Sequence, residues 1–191
     1  MLEIVNFIAS AELRKLLPKN KWEEKLKTIR SERILNRDPF EEYHILSEIK
    51  KGGQGTVHLV ESRQSAQHLY AIKRIKDDDP SEQNTVLEFA LHTECQHPNI
   101  VRVKDECFRH GGEIFILMEF MDLGDLGDLI RFQREEQVVI SEGAIAYIAF
   151  NILEGLKFMH TKHRMHRDLK PLNVMLKMDG GVKLGDFGMA A

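Results

Sequence analysis

The run Met165-His166-Arg167-Asp168-Leu169-Lys170-Pro171-Leu172-Asn173, followed by Gly185-Asp186-Phe187-Gly188, constrains this 191-residue chain more than any other feature. Between the two lie strand-like stretches, Val174-Met175-Leu176-Lys177 and Val182-Lys183-Leu184, around a turn at Asp179-Gly180-Gly181. The sequence therefore predicts a hairpin that brings the two runs onto neighbouring loops. A lone His-Arg-Asp is often a capped turn, and a lone Asp-Phe-Gly is often a bend. In this order and spacing they set a carboxylate, Asp168, beside two oxygen donors of the hard type that Mg²⁺ prefers, Asn173 and Asp186. A proton acceptor and hard-cation ligands placed in this way are what transfer of a terminal phosphoryl group requires.

Upstream, Gly52-Gly53-Gln54-Gly55-Thr56-Val57 follows the alternating stretch Tyr43 to Ile49 and runs on into Thr56-Val57-His58-Leu59-Val60. Strand, glycine turn, strand is the implied order, whereas a dinucleotide fingerprint or a Walker loop would open a helix after the glycines. Backbone approaches phosphate closely only where no Cβ intrudes, which is the physical use of Gly52 and Gly55, and a plain hairpin turn is the bland alternative. Tyr70-Ala71-Ile72-Lys73 has the alternation of a half-buried strand, and a helical segment from about Glu82 to Cys95 precedes His97-Pro98-Asn99-Ile100-Val101. Ile114-Phe115-Ile116-Leu117-Met118 is a short apolar run after the Gly111-Gly112 turn. It reads as a buried strand leading into a connector, Glu119 to Gly124.

Taken together, these motifs resemble the eukaryotic protein kinases. Lys170, two residues after Asp168, has the form found in serine/threonine kinases. Asp38-Pro39-Phe40-Glu41-Glu42-Tyr43, Glu94 to Val101, Glu119 to Ile130 and Met178 to Leu184 are similar to the sterile-20/PAK-like group. The resemblance implies an α+β, two-lobed fold. The small lobe would be an antiparallel sheet of five strands between Tyr43 and Met118 with the Glu88 helix on it, and the partial, helical large lobe would hold helices near Asp125–Glu136 and Ser141–Thr161.

It also implies ATP and Mg²⁺ as cofactors and a protein Ser or Thr as acceptor. Asp168 would be the base, Lys170 would contact the transferred phosphate, and Asn173 and Asp186 would hold the metal. Gly52, Gly53, Gln54, Gly55 and Val57 would form a flap over the nucleotide. Ala71 and Lys73 would lie on the strand beneath it, with Glu88 as the counter-ion of Lys73. The backbone of Glu119 and Met121 would bond adenine, Met118 would guard the rear pocket or simply fill the core, and Asp125 would lie near the ribose. Two positions depart from the pattern. The first glycine of the flap falls on Lys50, and one turn after Glu88 an apolar residue is replaced by His92, which either loosens the active alignment or is a satisfied core histidine.

The expected organisation is an N-terminal helical extension at 1–37, the small lobe and hinge at 38–124, and a partial large lobe at 125–191 that stops soon after Gly188. A fragment of a longer kinase and a non-catalytic nucleotide-binding or interaction module derived from one are the two readings of such a chain. In the extension, Leu13, Leu16 and Leu17, then Trp22, Leu26 and Ile29, recur at helical spacing on either side of Pro18. They are expected to pack on the small lobe, or to serve as an autoinhibitory arm or a docking arm for a regulatory protein. In the Ser141–Thr161 helix the stripe Ile145, Ile148, Ala149, Ile152, Leu156 and Met159 is expected to lie largely uncovered.

A net charge of −3 gives no electrostatic case for nucleic acid or an anionic membrane. The first ten residues lack a basic start and contain Glu3, and no later apolar run approaches the ~18 residues of a span. Cys95 and Cys107 form no disulfide framework and no zinc spacing, as expected of reduced thiols in a cytoplasmic protein.

Overall fold

The computed structural model describes residues 34–52, 55–65, 68–76, 89–188 and 190. A mixed six-stranded sheet is followed by two helices and a small hairpin. The sheet is built from β1 (Ile34–Leu35), β2 (Tyr43–Gly52), β3 (Gly55–Ser62), β4 (Leu69–Lys76), β5 (Val103–His110) and β6 (Glu113–Glu119), in the spatial order β1-β5-β6-β4-β3-β2. All neighbours are antiparallel except β1, which pairs parallel with β5 through Ile34 opposite Cys107 and Leu35 opposite Phe108. The five antiparallel strands expected from sequence are present. The added edge strand is two residues long, too short for alternation to reveal, and it comes from the stretch expected to belong to the N-terminal extension.

β6 is apolar without alternation because it lies between β5 and β4 and both of its faces are covered. Ile114 and Ile116 join Phe89, Val103 and Cys107 on one face, while Phe115 and Leu117 join Val60, Ile72 and Phe108 on the other. The second face is closed by Phe40, whose ring meets Phe115 edge-on at 5.5 Å. Phe40 is held there by a 3-10 turn at Pro39–Glu41, in which Asp38 Oδ1 accepts from Phe40 N at 2.8 Å. On the first face residues 89–94 are helical; the rest of the segment expected from Glu82, including Glu88, lies outside the described residues, as do the stripes expected before Ile34.

Helix α1 (Leu126–Glu135) starts at Asp125 with a reciprocal capping box: Asp128 N donates to Asp125 Oδ1, and Asp125 N donates to Asp128 Oδ2. Helix α2 (Glu142–Thr161) is capped by Ser141, whose Oγ accepts from Ala144 N. The hairpin of β7 (Val174–Leu176) and β8 (Val182–Leu184) closes through Asp179, which accepts from Gly181 N at 2.9 Å. No helix among the described residues is long and apolar enough to cross a membrane.

The α2 stripe, expected to lie largely uncovered, is covered along its later part, while Ile145 and Ala149 at its start remain exposed. Met159 is fully buried, and Ile148, Ile152 and Leu156 pack on a core of Ile100, Val174, Leu176, Val182, Leu184 and Phe187. The cover comes from the hairpin and the Asn99–Val101 loop. Of the other exposed apolar residues of the helix, Tyr147 and Phe150 occupy the opposite side and Leu153 flanks the stripe. α2 comes this close to the loop because residue 155 is glycine: a Cβ there would meet Asn99 O at 2.8 Å and Leu184 Cδ1 at 3.0 Å.

Gly155→Ala should therefore destabilise the chain even though alanine is the better helix former. Overpacking of this kind costs ~1–3 kcal/mol, against a propensity gain of ~1 kcal/mol. Gly143→Ala, on the same helix with its nearest neighbour 3.9 Å away, should show only the gain. Urea midpoints of the two variants check this, and an undiminished midpoint in Gly155→Ala would mean that the loop can retreat.

Candidate active site

The loop after α2 is tied down from several directions. Arg164 donates to Glu94 at 3.2 Å, fastening it to the helical segment 89–94. His166, almost fully buried, donates Nε2–H to Gly185 O at 2.9 Å and so joins the His-Arg-Asp loop directly to the Asp-Phe-Gly loop. Burial pushes the His166 pKa down and favours the neutral ring, while the bond to Gly185 and the nearby Asp186 and Asp168 oppose the shift. Arg167 and Asp186 both have left-handed backbone, with φ of 63° and 57°. Such conformations cost energy for any residue with a Cβ and tend to occur where the surroundings enforce them.

Asp168 is gripped by its own loop. Lys170 Nζ lies 2.6 Å from Asp168 Oδ2, and Asn173 Nδ2 donates to Asp168 O at 2.8 Å and to Oδ2 at 3.0 Å. The bond from Lys170, helped by that from Asn173, lowers the Asp168 pKa and keeps the group a carboxylate at neutral pH. Asn173, in the 3-10 turn Pro171–Asn173, is buried, and its carbonyl accepts from Gly185 N at 2.9 Å. Its amide nitrogen is committed to Asp168, which leaves Oδ1 as the available side-chain acceptor. Across the cleft, Asp186 Oδ1 lies 3.1 Å from the Nζ of Lys73, a buried ammonium projecting from β4. Asn173 and Asp186 line the same cavity, and their oxygens suit a hard cation that keeps most of its other ligands as water or phosphate.

That cavity, of about 390 Å³, lies between the sheet and the α1–hairpin half of the chain. It is lined by Ile49, Val57, Ala71 and Met118 from the sheet, by Leu172 and Met175 from the Asn173 turn and hairpin, and by Glu119, Met121 and Asp125 from the connector between β6 and α1. An apolar slot with polar groups at one end suits a flat heterocycle bearing a charged tail. The connector is fixed from behind: Glu119 Oε1 accepts from Lys183 Nζ at 2.6 Å and from Arg102 N at 2.7 Å.

Of the sequence-expected residues, Asn173, Asp186, Lys73, Ala71, Val57, Met118, Glu119, Met121 and Asp125 line this cleft, and Asp168 and Lys170 belong to the loop that carries Asn173. Gly52 has nothing within 4 Å of a notional Cβ, so the flap tip is open there. Gly55 is required for another reason: its φ is 124°, and a Cβ would sit 2.2 Å from Arg74 O. Gly53, Gln54 and Glu88 lie outside the described residues. Sequence reasoning did not assign Lys183, Arg131, Leu172 or Met175 to the site. Leu172 and Met175 flank Asn173 in the motif and were within reach, whereas Lys183 and Arg131 carry no local signal.

The chain belongs to the protein kinase family: residues 43–191 match the family described as protein kinase domain. Within it, the similarity is to serine/threonine kinases of the sterile-20/PAK-like group. The chain is 36% identical over 155 residues to the serine/threonine-protein kinase MST20 of Pyricularia oryzae, covering 81% of this chain and 16% of that protein. It is 33% identical over 161 residues to pakC of Dictyostelium discoideum, covering 84% and 33%. With cst-1 of Caenorhabditis elegans it shares 32% over 156 residues, covering 82% and 30%. The chain thus spans a third or less of the length of these curated relatives.

His92 is a satisfied core histidine that also bears on the site. It stacks on Phe187 with ring centroids 4.2 Å apart, its Nε2–H is given to Val101 O, and His166 flanks the same phenylalanine at 5.4 Å. A buried imidazole without a partner would cost ~1–3 kcal/mol, which the Val101 bond offsets. Burial lowers the His92 pKa from 6.5 to about 4; Val101 and Asp186 oppose the shift, and Lys73 and His166 add to it.

Because the folded-state value lies below the unfolded one, the unfolded chain binds an extra proton between pH 6.5 and about 4. Stability is full above 6.5 and falls as the pH drops through that window, by about 3 kcal/mol for this group. His166 contributes in the same direction. In His92→Leu the acid limb of a stability–pH curve, measured by denaturant titration, should be shallower. A limb of unchanged slope would place the acid sensitivity elsewhere.

Proposed function

We propose that this chain carries the nucleotide-binding and phosphoryl-transfer centre of a serine/threonine protein kinase, with ATP as donor and a protein hydroxyl as acceptor. The observation that carries this reading is one apolar slot lined by Asp186, paired with Lys73 at 3.1 Å, and by Asn173, whose amide holds Asp168 at 3.0 Å. Adenine fits the slot among Val57, Ala71, Met118, Met121 and Leu172, with the connector backbone at Glu119 and Met121 along its edge. Lys73 neutralises phosphate oxygens, and the flap around Gly52 covers them.

Asp168 accepts the proton of the attacking serine or threonine hydroxyl. Its lowered pKa makes it a weak base, which suits a loose transition state in which the hydroxyl is oriented first and deprotonated late. Lys170, already on Asp168, is placed to share its charge with the transferred group. Asn173 Oδ1 and the Asp186 carboxylate would hold Mg²⁺, which when bound offsets the negative charge of the phosphates.

The wider reading follows the same line. The acceptor is a protein, and residues 1–37 are the segment for a regulatory protein. Work in the cytoplasm is supported by two unpaired, buried thiols, which burial pushes up to about 11 at Cys95 and about 12 at Cys107.

Nucleotide binding by the 191-residue chain tests the donor half. Asp186→Asn should weaken MgATP binding about tenfold or more while changing metal-free binding little, and Asp168→Asn should leave both nearly intact. In a kinase containing this segment, Asp168→Asn should lower phosphate transfer ~10²–10⁴-fold. Unaltered transfer would end the assignment of Asp168 as base, and metal-independent ATP binding would end that of Asp186.

A further inference from the structure

Lys50 stands where the first glycine of the flap is expected, and it crosses the mouth of the cleft. Its Nζ lies 3.0 Å from Asp125 Oδ2, joining β2 to the N-cap of α1 across 75 residues of chain. The local cause is a register shift in β2: Glu48 pairs with His58 and Lys50 with Val57, so Ile49 is an extra residue opposite the β3 strand. Strict alternation would send Ile49 and Lys50 to opposite faces, yet both line the cavity, as a bulge allows. The Asp125 side chain is only 6% exposed, and its other oxygen, Oδ1, accepts from Asp128 N. The Lys50 side chain is 51% exposed. One partner is therefore fixed and buried, and the other is a movable cation lying over it.

We propose that Lys50 is a specificity-determining clasp that occupies the carboxylate of Asp125, which would otherwise read the hydroxyls of a bound ribose. This rests on the nucleotide-binding reading above. A sugar hydroxyl must compete with the ammonium for Asp125 Oδ2, so the clasp lowers nucleoside affinity. It also flattens discrimination between sugars. A site rejects a ligand that lacks a hydroxyl when a buried polar group is left unpaired, but with Lys50 on Asp125 the carboxylate is satisfied whether or not the 2′-hydroxyl is present. Because the lysine is half exposed, salt weakens the clasp.

The test uses nucleosides, since adenosine carries no phosphate for Lys50 to attract. Binding of adenosine, 2′-deoxyadenosine and MgATP to the 191-residue chain is compared by calorimetry with that to Lys50→Met, which keeps the stem and removes the charge, and to Lys50→Gly. Both variants should bind adenosine about 2- to 5-fold more tightly, as expected for losing a pair of this exposure. Their preference for adenosine over 2′-deoxyadenosine should rise from near unity towards tenfold. Adenosine affinity of the unsubstituted chain should increase with added salt, while that of Lys50→Met stays level. Unchanged adenosine affinity and sugar preference, with MgATP binding alone weakened, would overturn the clasp and make Lys50 a phosphate ligand. Failure of every form to bind either adenosine or MgATP would instead overturn the nucleotide-binding reading on which the clasp stands.

Discussion

Leu184 donates its N–H to Asn99 O at 2.9 Å and accepts from Val101 N at 2.8 Å, and this short parallel bridge links the sheet side of the molecule to the hairpin side. Gly155 lets α2 press against the same loop, and the side chain of Asn99 reaches Asn151 and Val182 O. The consequence for the site is direct. Residues 185–187 leave β8 from this anchor, so Gly185 reaches Asn173 and His166, Asp186 is delivered opposite Lys73, and Phe187 is driven into the core between two imidazoles. β7 and β8 are only three residues long each, and their further ties to the sheet side are Lys183 to Glu119 at 2.6 Å and the backbone bonds of Leu176 with Leu123 and Gly124.

Much of this was legible because the chemistry is concentrated in short strings. Asp168, Lys170, Asn173 and Asp186 lie within a hairpin's length of one another, and the hairpin itself is announced by Asp179-Gly180-Gly181. The helix starts were legible for a similar reason: Asp125 and Ser141 are capping residues followed by helix-period patterns, and both serve as N-caps. β6 was recognisable as a buried strand from its unbroken apolar run. What was not legible depends on contacts far apart in sequence. Lys183 to Glu119 spans 64 residues, and the short strand β1 is defined by its pairing with β5 rather than by its composition. The cover over the later part of the α2 stripe was missed for the same reason, because a helical pattern shows that a face is apolar but not which loop will reach it.

Gly55 and Lys50 show how one segment can mislead in two ways. The glycine run suggests a common purpose, yet Gly55 is needed because Arg74 O lies where its Cβ would be, which is a packing demand between strands. Lys50 looks like damage to the same motif. In the folded chain it is the residue that closes the cleft mouth, reached through a bulge that no pattern of alternation could have indicated.

The cleft also has an electrostatic order that no single motif conveys. Asp168 is matched by Lys170, Asp186 by Lys73, Asp125 by Lys50, Glu119 by Lys183, and Asp128 by Arg131. Buried or half-buried carboxylates held this close would repel one another unless each had a cation beside it. In the reading proposed above, a polyanionic nucleotide competes for these cations, Lys73 first, because it alone is buried at the phosphate end. As Lys73 turns towards phosphate, Asp186 loses part of its compensation and becomes a better ligand for a hard cation. Affinity for the metal and affinity for the nucleotide are then coupled through one lysine–carboxylate pair. The coupling needs no change of fold, only an exchange of partners between groups already within 3.1 Å of each other.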